Sequence, residues 1–410
     1  MVQLQRLSFI LLIFVLGACS TYQSKIQGSR NDLKSGQVQA ALDQLKPLAE
    51  KDSDDQLVYL LDYGTALQIA GKYKESSDVF LKADKMVELN DYHSVSKIAV
   101  ATLGSEDMVQ YKGESYEKIL ISAYLAMDYL MMGQFDDAMV EVRRVNEKIS
   151  KIRQDGRKNY ELNPYANYLA GLIWESDGKF DDAYISYVDS SKIDSSNPFL
   201  PEDLIRTARK SRRTDDYQAL KKQYPQVVEN PDWYDKNKGE VVILVQQGWG
   251  PEKHFSPVDN RWPKLYPVFS STNSTKMTID GVGDFHSKMV YNVEQVVIKT
   301  LDDDVGWMIA RKVGATVAKA VVADQIRQKQ GELAGFLAAV AMRVSDRADL
   351  RQWSTLPKNF QMIRTWLPAG EYTMTLQGTN GGNPTADRWE NVKFTIHPGH
   401  KTFLSWRSLR

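Results

Sequence analysis

Apolar positions change rhythm along this chain, and each change predicts a different kind of element. Leu7 to Leu16 is a run of ten residues interrupted only by Ser8 and preceded by one charge, Arg6. Such a run is too short to span a bilayer as a helix and has the make-up of a secretory signal. Between about residues 30 and 200 the apolar positions follow helical spacing, broken at intervals by Gly-x-aromatic triplets. Helical period stops in a stretch from Ser195 to Lys238 punctuated by Pro198, Pro201, Pro225 and Pro231. The run Gly239-Glu240-Val241-Val242-Ile243-Leu244-Val245 then reads as a buried strand. Further strands are expected at Lys276 to Ile279, Met289 to Ile298, Phe360 to Trp366, Glu371 to Leu376, Asn391 to Ile396 and Lys401 to Trp406. Turns are expected at Pro368-Ala369-Gly370 and, as a hairpin, at His397-Pro398-Gly399-His400. Val305 to Val344 returns to helical spacing, with Gly331 separating two helices. The expected fold is therefore α+β and multidomain: a helical solenoid over 30–225, then a strand-rich α+β module over 239–410 with an inserted helical segment.

The helical half is a repeat array. Its clearest copies are Gly64 with Gly71-Lys72-Tyr73, Phe80 and Ala83, then Gly133-Gln134-Phe135 with Ala138, then Gly171 with Gly178-Lys179-Phe180, Ala183 and Tyr187. A weaker first copy lies at Gly36-Gln37-Val38 with Ala41. In each, a small residue lets two helices approach, and Gly-x-aromatic makes the reversal between them. These copies resemble tetratricopeptide repeats. Of the intervals between turn glycines, only that from Gly36 to Gly71 is close to the family period of about 34 residues, which places insertions near Asn90 to Ser115 and near Arg153 to Pro164.

The apolar run at the N-terminus ends in Leu16-Gly17-Ala18-Cys19, which resembles the lipobox of bacterial lipoproteins. That resemblance implies a signal peptide over 1–18, cleavage before Cys19, acylation of the Cys19 sulfur and a lipidated linker over 19–29. Ser20, where an aspartate would hold a lipoprotein at the inner membrane in enterobacterial-type sorting, implies the outer membrane. Several acyl chains at about 0.8 kcal/mol per buried methylene would make the attachment permanent.

Charge and candidate chemistry narrow the function further. Lysine plus arginine and aspartate plus glutamate stand at 52 each, which excludes a general nucleic-acid binder. Cys19 is the only cysteine, so its acylation leaves no thiol for a disulfide, a zinc site or a nucleophile. Of the five histidines, only His397 and His400 are close in sequence, with no ligand-spaced acid beside them. No Gly-x-Ser-x-Gly, P-loop or His-Glu-x-x-His motif occurs. The expectation is no catalytic constellation, no metal and no cofactor.

Several segments together are similar to a family of tetratricopeptide-repeat-containing bacterial lipoproteins. They are Gly113 to Lys118 continuing through Gly133 to Arg144, Asn163-Pro164-Tyr165-Ala166, Gly239 to Lys253, and Ala348-Asp349-Leu350-Arg351-Gln352-Trp353-Ser354-Thr355-Leu356-Pro357. The resemblance bears on architecture and location; the anchor and the repeat array together lead to the expectation of a non-enzymatic adaptor at the outer membrane, facing the periplasm, with an envelope protein as partner. Carried over from the repeat family, groove-facing offsets put Met127, Leu130, Met131, Tyr165 and Tyr168 on the concave side, an apolar and adaptable surface for an extended segment or a helix. The same positions also suit core residues, or residues covered by the chain's own C-terminal half. A rival reading is an envelope enzyme or glycan-binding protein using Trp249, His254 and Trp262 from the loop after the first strand.

Overall fold

A computed structural model describes residues 22–92, 110–154, 163–302 and 348–410, with isolated positions between 324 and 332. The leader, Cys19 and most of Val305 to Val344 lie outside the described residues.

Helices dominate the first half because its apolar residues recur on one stripe and glycines end each stripe. The described helices are α1 (Tyr22–Lys34), α2 (Val38–Glu50), α3 (Gln56–Ile69), α4 (Tyr73–Tyr92), α5 (Ser115–Met131), α6 (Phe135–Gln154), α7 (Pro164–Ser176), α8 (Phe180–Ile193), α9 (Leu200–Lys210) and α10 (Thr214–Gln223). They pair in order into five hairpins, each packed on the next. The 19–29 segment is thus not a linker: from Tyr22 onward it is α1, with Tyr22 and Ile26 buried.

One turn chemistry closes all five hairpins. Gly36, Gly71, Gly133 and Gly178 sit at φ between 70° and 81°. In each, the glycine N–H and the next N–H bond back to carbonyls of the preceding turn, as in Gly178 to Glu175 at 3.1 Å and Lys179 to Trp174 at 2.9 Å. Arg212 occupies the same place in the fifth hairpin, at φ 62°, with Arg212 N–H to Arg209 and Arg213 N–H to Ala208. The fifth repeat escapes the glycine pattern because its turn residue is an arginine.

Close helix approach is visible where a Cβ would collide. One placed on Gly171 would lie 2.4 Å from the Tyr187 ring, and one on Gly64 2.9 Å from Phe80. At the same offsets the third hairpin carries Ala126 in place of the glycine and Val142 in place of the aromatic ring, so the small position gains a methyl where the large one shrinks.

The second half is a sandwich docked onto this array. One sheet has the order β10 (Lys401–Ser408), β1 (Lys238–Gln247), β7 (Asn359–Pro368), β6 (Lys288–Tyr291); the other has β5 (Gly283–His286), β4 (Ser274–Ile279), β8 (Gly370–Asn380), β9 (Asn383–Ile396). β2 (Glu252–Phe255) and β3 (Pro263–Tyr266) form a separate hairpin. Val241, Ile243 and Val245 of β1 face the second sheet, packed with Met277, Ile363, Leu376 and Phe394. Val242 and Leu244 face the other way, into a core shared with the helices. Burial on both faces is why β1 reads as an unbroken apolar run rather than an alternating one.

Two expectations for this half are corrected. The segment at 397–400 is not a hairpin turn: β9 lies in the second sheet, whereas β10 crosses to pair in parallel with β1. The strand expected over Met289 to Ile298 stops at Tyr291, because the Asn292 side chain accepts a hydrogen bond from the Gln295 N–H at 3.0 Å and starts a helix from 293.

Candidate functional site

The concave face of the array is occupied by the chain's own C-terminal module. α3, α5 and α7, the first helices of the middle three hairpins, are buried over nearly their whole circumference. Their outer neighbours α4, α6 and α8 cover one side, and the β10-β1-β7 face with the segment Asp349 to Pro357 covers the other.

Trp353 is the centre of that segment. Its ring packs between Phe80 and Tyr124, with centroids 5.6 and 4.9 Å away, and its Nε1 donates to Thr65 Oγ1 at 2.8 Å. Asp62, on the same helix as Thr65, accepts from Ser354 Oγ at 3.0 Å, from Thr355 N–H at 3.0 Å, from Thr355 Oγ1 at 2.9 Å and from Tyr22 OH at 2.5 Å. Burial nevertheless pushes its carboxyl up to about 6. Glu117 on α5 accepts from the Trp353 N–H at 2.8 Å and from Tyr111 OH at 2.6 Å. Its burial, reinforced by Glu114 beside it, pushes the Glu117 carboxyl up to about 7. Arg351 reaches Asp55 at 3.0 Å, and Lys253 reaches Glu114 at 2.8 Å. An extended segment is thus read by side chains of successive helices, the way a repeat groove holds a peptide.

The sheet face completes the occupancy. Tyr165 lies flat on Phe360 of β7, with centroids 4.2 Å apart at 17°. Gln246 of β1 accepts from Tyr124 OH at 3.0 Å and donates to Gln68 at 2.6 Å, and Gln68 in turn donates to Asp128 at 2.7 Å. Burial pushes Asp128 up to about 8.

The same interface between helices and sheet holds a buried charge cluster of three acids and three cations. Arg206 forks onto Glu175 at 2.6 and 2.8 Å and also pairs with Asp203. Arg364 of β7 bridges Asp203 and Glu240, each at 2.7 Å, and donates to Tyr168 OH at 2.6 Å. Lys401 joins Glu175, at 3.1 Å, to Glu240. Burial opposes these charges, yet Arg364 and Lys401 hold Glu240 down at about 2, and Arg206 and Lys401 hold Glu175 well below the usual carboxylate range.

The groove residues expected from sequence therefore do converge, but not as an open surface. Met127, Leu130, Tyr165 and Tyr168 are buried, and Met131 is half-buried at the edge of the same core. The expectation of an accessible partner groove at these five residues is corrected: Phe360 covers Tyr165, and Arg364 and Asp203 hold Tyr168. The signal that could have shown this is the apolar circumference of α3, α5 and α7, since a helix apolar all round is covered all round. A sugar-stacking group at Trp249, His254 and Trp262 is corrected as well. Trp249 is buried, donates to the Leu409 carbonyl at 2.8 Å and lies under Arg30 and Arg407, while His254 is exposed on β2. Among the described residues no group of three metal-ligating side chains occurs, and no helix is long and apolar enough to cross a membrane.

No family model matches the chain, and no curated protein does. Among solved structures, MamA of AMB-1 aligns at 13% identity over 50% of this chain and 89% of its own, with a TM-score of 0.32. A putative kinesin light chain from Podosopora anserina with nearly identical TPR-like repeats aligns at 15% identity over 50% of this chain and 93% of its own, with a TM-score of 0.34. A tetratricopeptide repeat protein from Parabacteroides merdae aligns at 14% identity over 50% of this chain and 67% of its own, with a TM-score of 0.33.

Proposed function

We propose that this chain is an outer-membrane lipoprotein, acylated at Cys19 and facing the periplasm, that works without catalysis as a protein-protein interaction adaptor in cell-envelope assembly or maintenance. One observation carries the reading: the Leu16-Gly17-Ala18-Cys19 signal runs within three residues into an array of helical hairpins. Tyr22 ties the start of that array down at once, its hydroxyl lying 2.5 Å from the Asp62 carboxyl and 2.7 Å from the Gln352 carbonyl. An anchor at Cys19 would then hold the folded body against the membrane rather than on a long tether.

Because the concave face is filled from within, the partner reads the outer faces. Leu81 on α4, Val140 on α6 and Ile185 on α8 are exposed apolar residues on three successive hairpins. The test has two arms. Palmitate labelling of the chain, abolished by Cys19→Ala, supports the anchor, and labelling that survives the substitution overturns it. Photo-crosslinking groups placed at 81, 140 and 185 in living cells should give one common envelope-protein adduct, and absence of any adduct at all three overturns the adaptor.

A further inference from the structure

The β2–β3 hairpin stands apart from both sheets, and two contacts set it against α1. Arg30, in the third turn of α1, pairs with Glu252 at 2.5 Å, and Gln23, in the first turn, donates to the Lys253 carbonyl. The Lys253 carbonyl is thus held at the first turn of α1. Phe255 ends the strand two residues further on, and the loop leads from it into β3. Ala348 N–H donates to the Asn260 carbonyl at 3.2 Å, which ties the loop to the segment leading into Arg351.

Beside the exposed Asn260, the exposed residues at the end of β2 and in the loop include apolar ones where a solvated turn would be polar. Phe255 is 38% exposed and Val258 94%, with Pro257 between them also exposed. The acid of the loop, Asp259, is neutralised by Arg261 at 2.6 Å, and its exposed flanks carry Lys264 and His254. An apolar tip flanked by Lys264, with its acid paired, matches the interface of a bilayer, where aromatic and apolar side chains sit at headgroup depth and lysines reach the phosphates.

We infer that this hairpin is a membrane-contacting element: with the chain held at Cys19, Phe255, Pro257 and Val258 enter the headgroup layer and fix the orientation of the whole body on the membrane. The inference rests on the anchor reading above. Cys19 precedes Tyr22 by three residues, a reach of about 10 Å at full extension, so bilayer and loop are brought to the same end of α1. Acyl chains supply the attachment, and the hairpin supplies a second point of contact that stops the body from swivelling.

The experiment uses the single cysteine of the sequence. In the full lipidated chain Cys19 is consumed, so Val258→Cys offers the one thiol for an environment-sensitive NBD label. The labelled protein is reconstituted into liposomes of phosphatidylethanolamine and phosphatidylglycerol. Label at 258 should shift its emission to the blue and lose intensity when spin-labelled lipid is included. The same label on Val228→Cys, an exposed position in the stretch after α10, should stay water-like. A second arm replaces the acyl anchor by a histidine tag before Ser20 on nickel-chelating vesicles, so it reports on the hairpin whether or not Cys19 is acylated. Water-like emission at 258 on these tethered vesicles overturns the inference. Failure of the anchor alone shows itself separately, as a second labelled thiol and loss of flotation in the first arm.

Discussion

Trp353 Nε1 donates to Thr65 Oγ1 at 2.8 Å, joining the C-terminal module to α3 across most of the length of the chain. The bond sits inside an aromatic cluster with Phe80 and Tyr124, so the indole contributes both buried area and a satisfied polar group. Trp353→Ala removes both and leaves a cavity that rigid helices cannot close. The expected loss is about 3–5 kcal/mol, read as a lower urea midpoint. Because the ring spans the two halves, amide exchange should accelerate first in α3, α4 and α5, the helices whose side chains meet Trp353.

Stability should fall as pH rises from about 5 to 8. Asp62, Glu117 and Asp128 have folded-state values of about 6, 7 and 8, all raised by burial above the unfolded value of about 4. Groups raised in this way contribute stability that is complete below the unfolded value and is lost as pH climbs through the folded one. Glu240 and Glu175 act oppositely: their lowered values contribute stability above about pH 4.5 that disappears toward about pH 2. Urea titrations between pH 3 and 9 should therefore peak near about pH 4. Asp128→Asn, which cannot ionise, should flatten the alkaline limb, and an unchanged slope would show that Asp128 is already charged in the folded protein.

Much of this architecture was legible because local chemistry announces it. The turn glycines at 36, 71, 133 and 178 marked four hairpins, and the valine-rich run of β1 marked a strand covered on both faces. What failed to show was long-range. Glu175, Asp203 and Arg206 carry no local sign of burial, because their partners Glu240, Arg364 and Lys401 lie on strands far along the chain. Arg212 hid the fifth turn, since the backbone of a left-handed position is visible in sequence only when glycine fills it. The β9–β10 turn could not reveal that it changes sheets, because Pro-Gly chemistry is the same in either topology.

Arg364 is the residue through which the charge cluster crosses between the two halves. Its guanidinium is shared by Asp203 on α9, Glu240 on β1 and the Tyr168 hydroxyl. Arg364→Met keeps much of the volume but leaves two buried carboxylates short of a cation, at an expected cost of about 3–5 kcal/mol. Arg364→Lys should recover only part of this, because an ammonium cannot fork to three acceptors in one plane. Stability of Arg364→Lys equal to that of the parent protein would mean that charge alone, and not the fork, holds the interface.

Backbone handedness at the hairpin turns gives a prediction of opposite sign at two equivalent places. Arg212 is exposed and held at φ 62°, a conformation that costs a side-chain-bearing residue about 1–2 kcal/mol. Arg212→Gly removes that cost while loosening the unfolded chain, for a net gain of about 0.5 kcal/mol. Gly178, at φ 73° with open space around its Cβ position, should lose about 1 kcal/mol as Gly178→Ala, through strain and not through collision. Gly171→Ala is a different case, since φ is ordinary there and the new methyl meets the Tyr187 ring at 2.4 Å. Its cost, about 1–3 kcal/mol, is overpacking. Thermal unfolding of the three variants should rank them in that order, with Arg212→Gly alone above the parent protein.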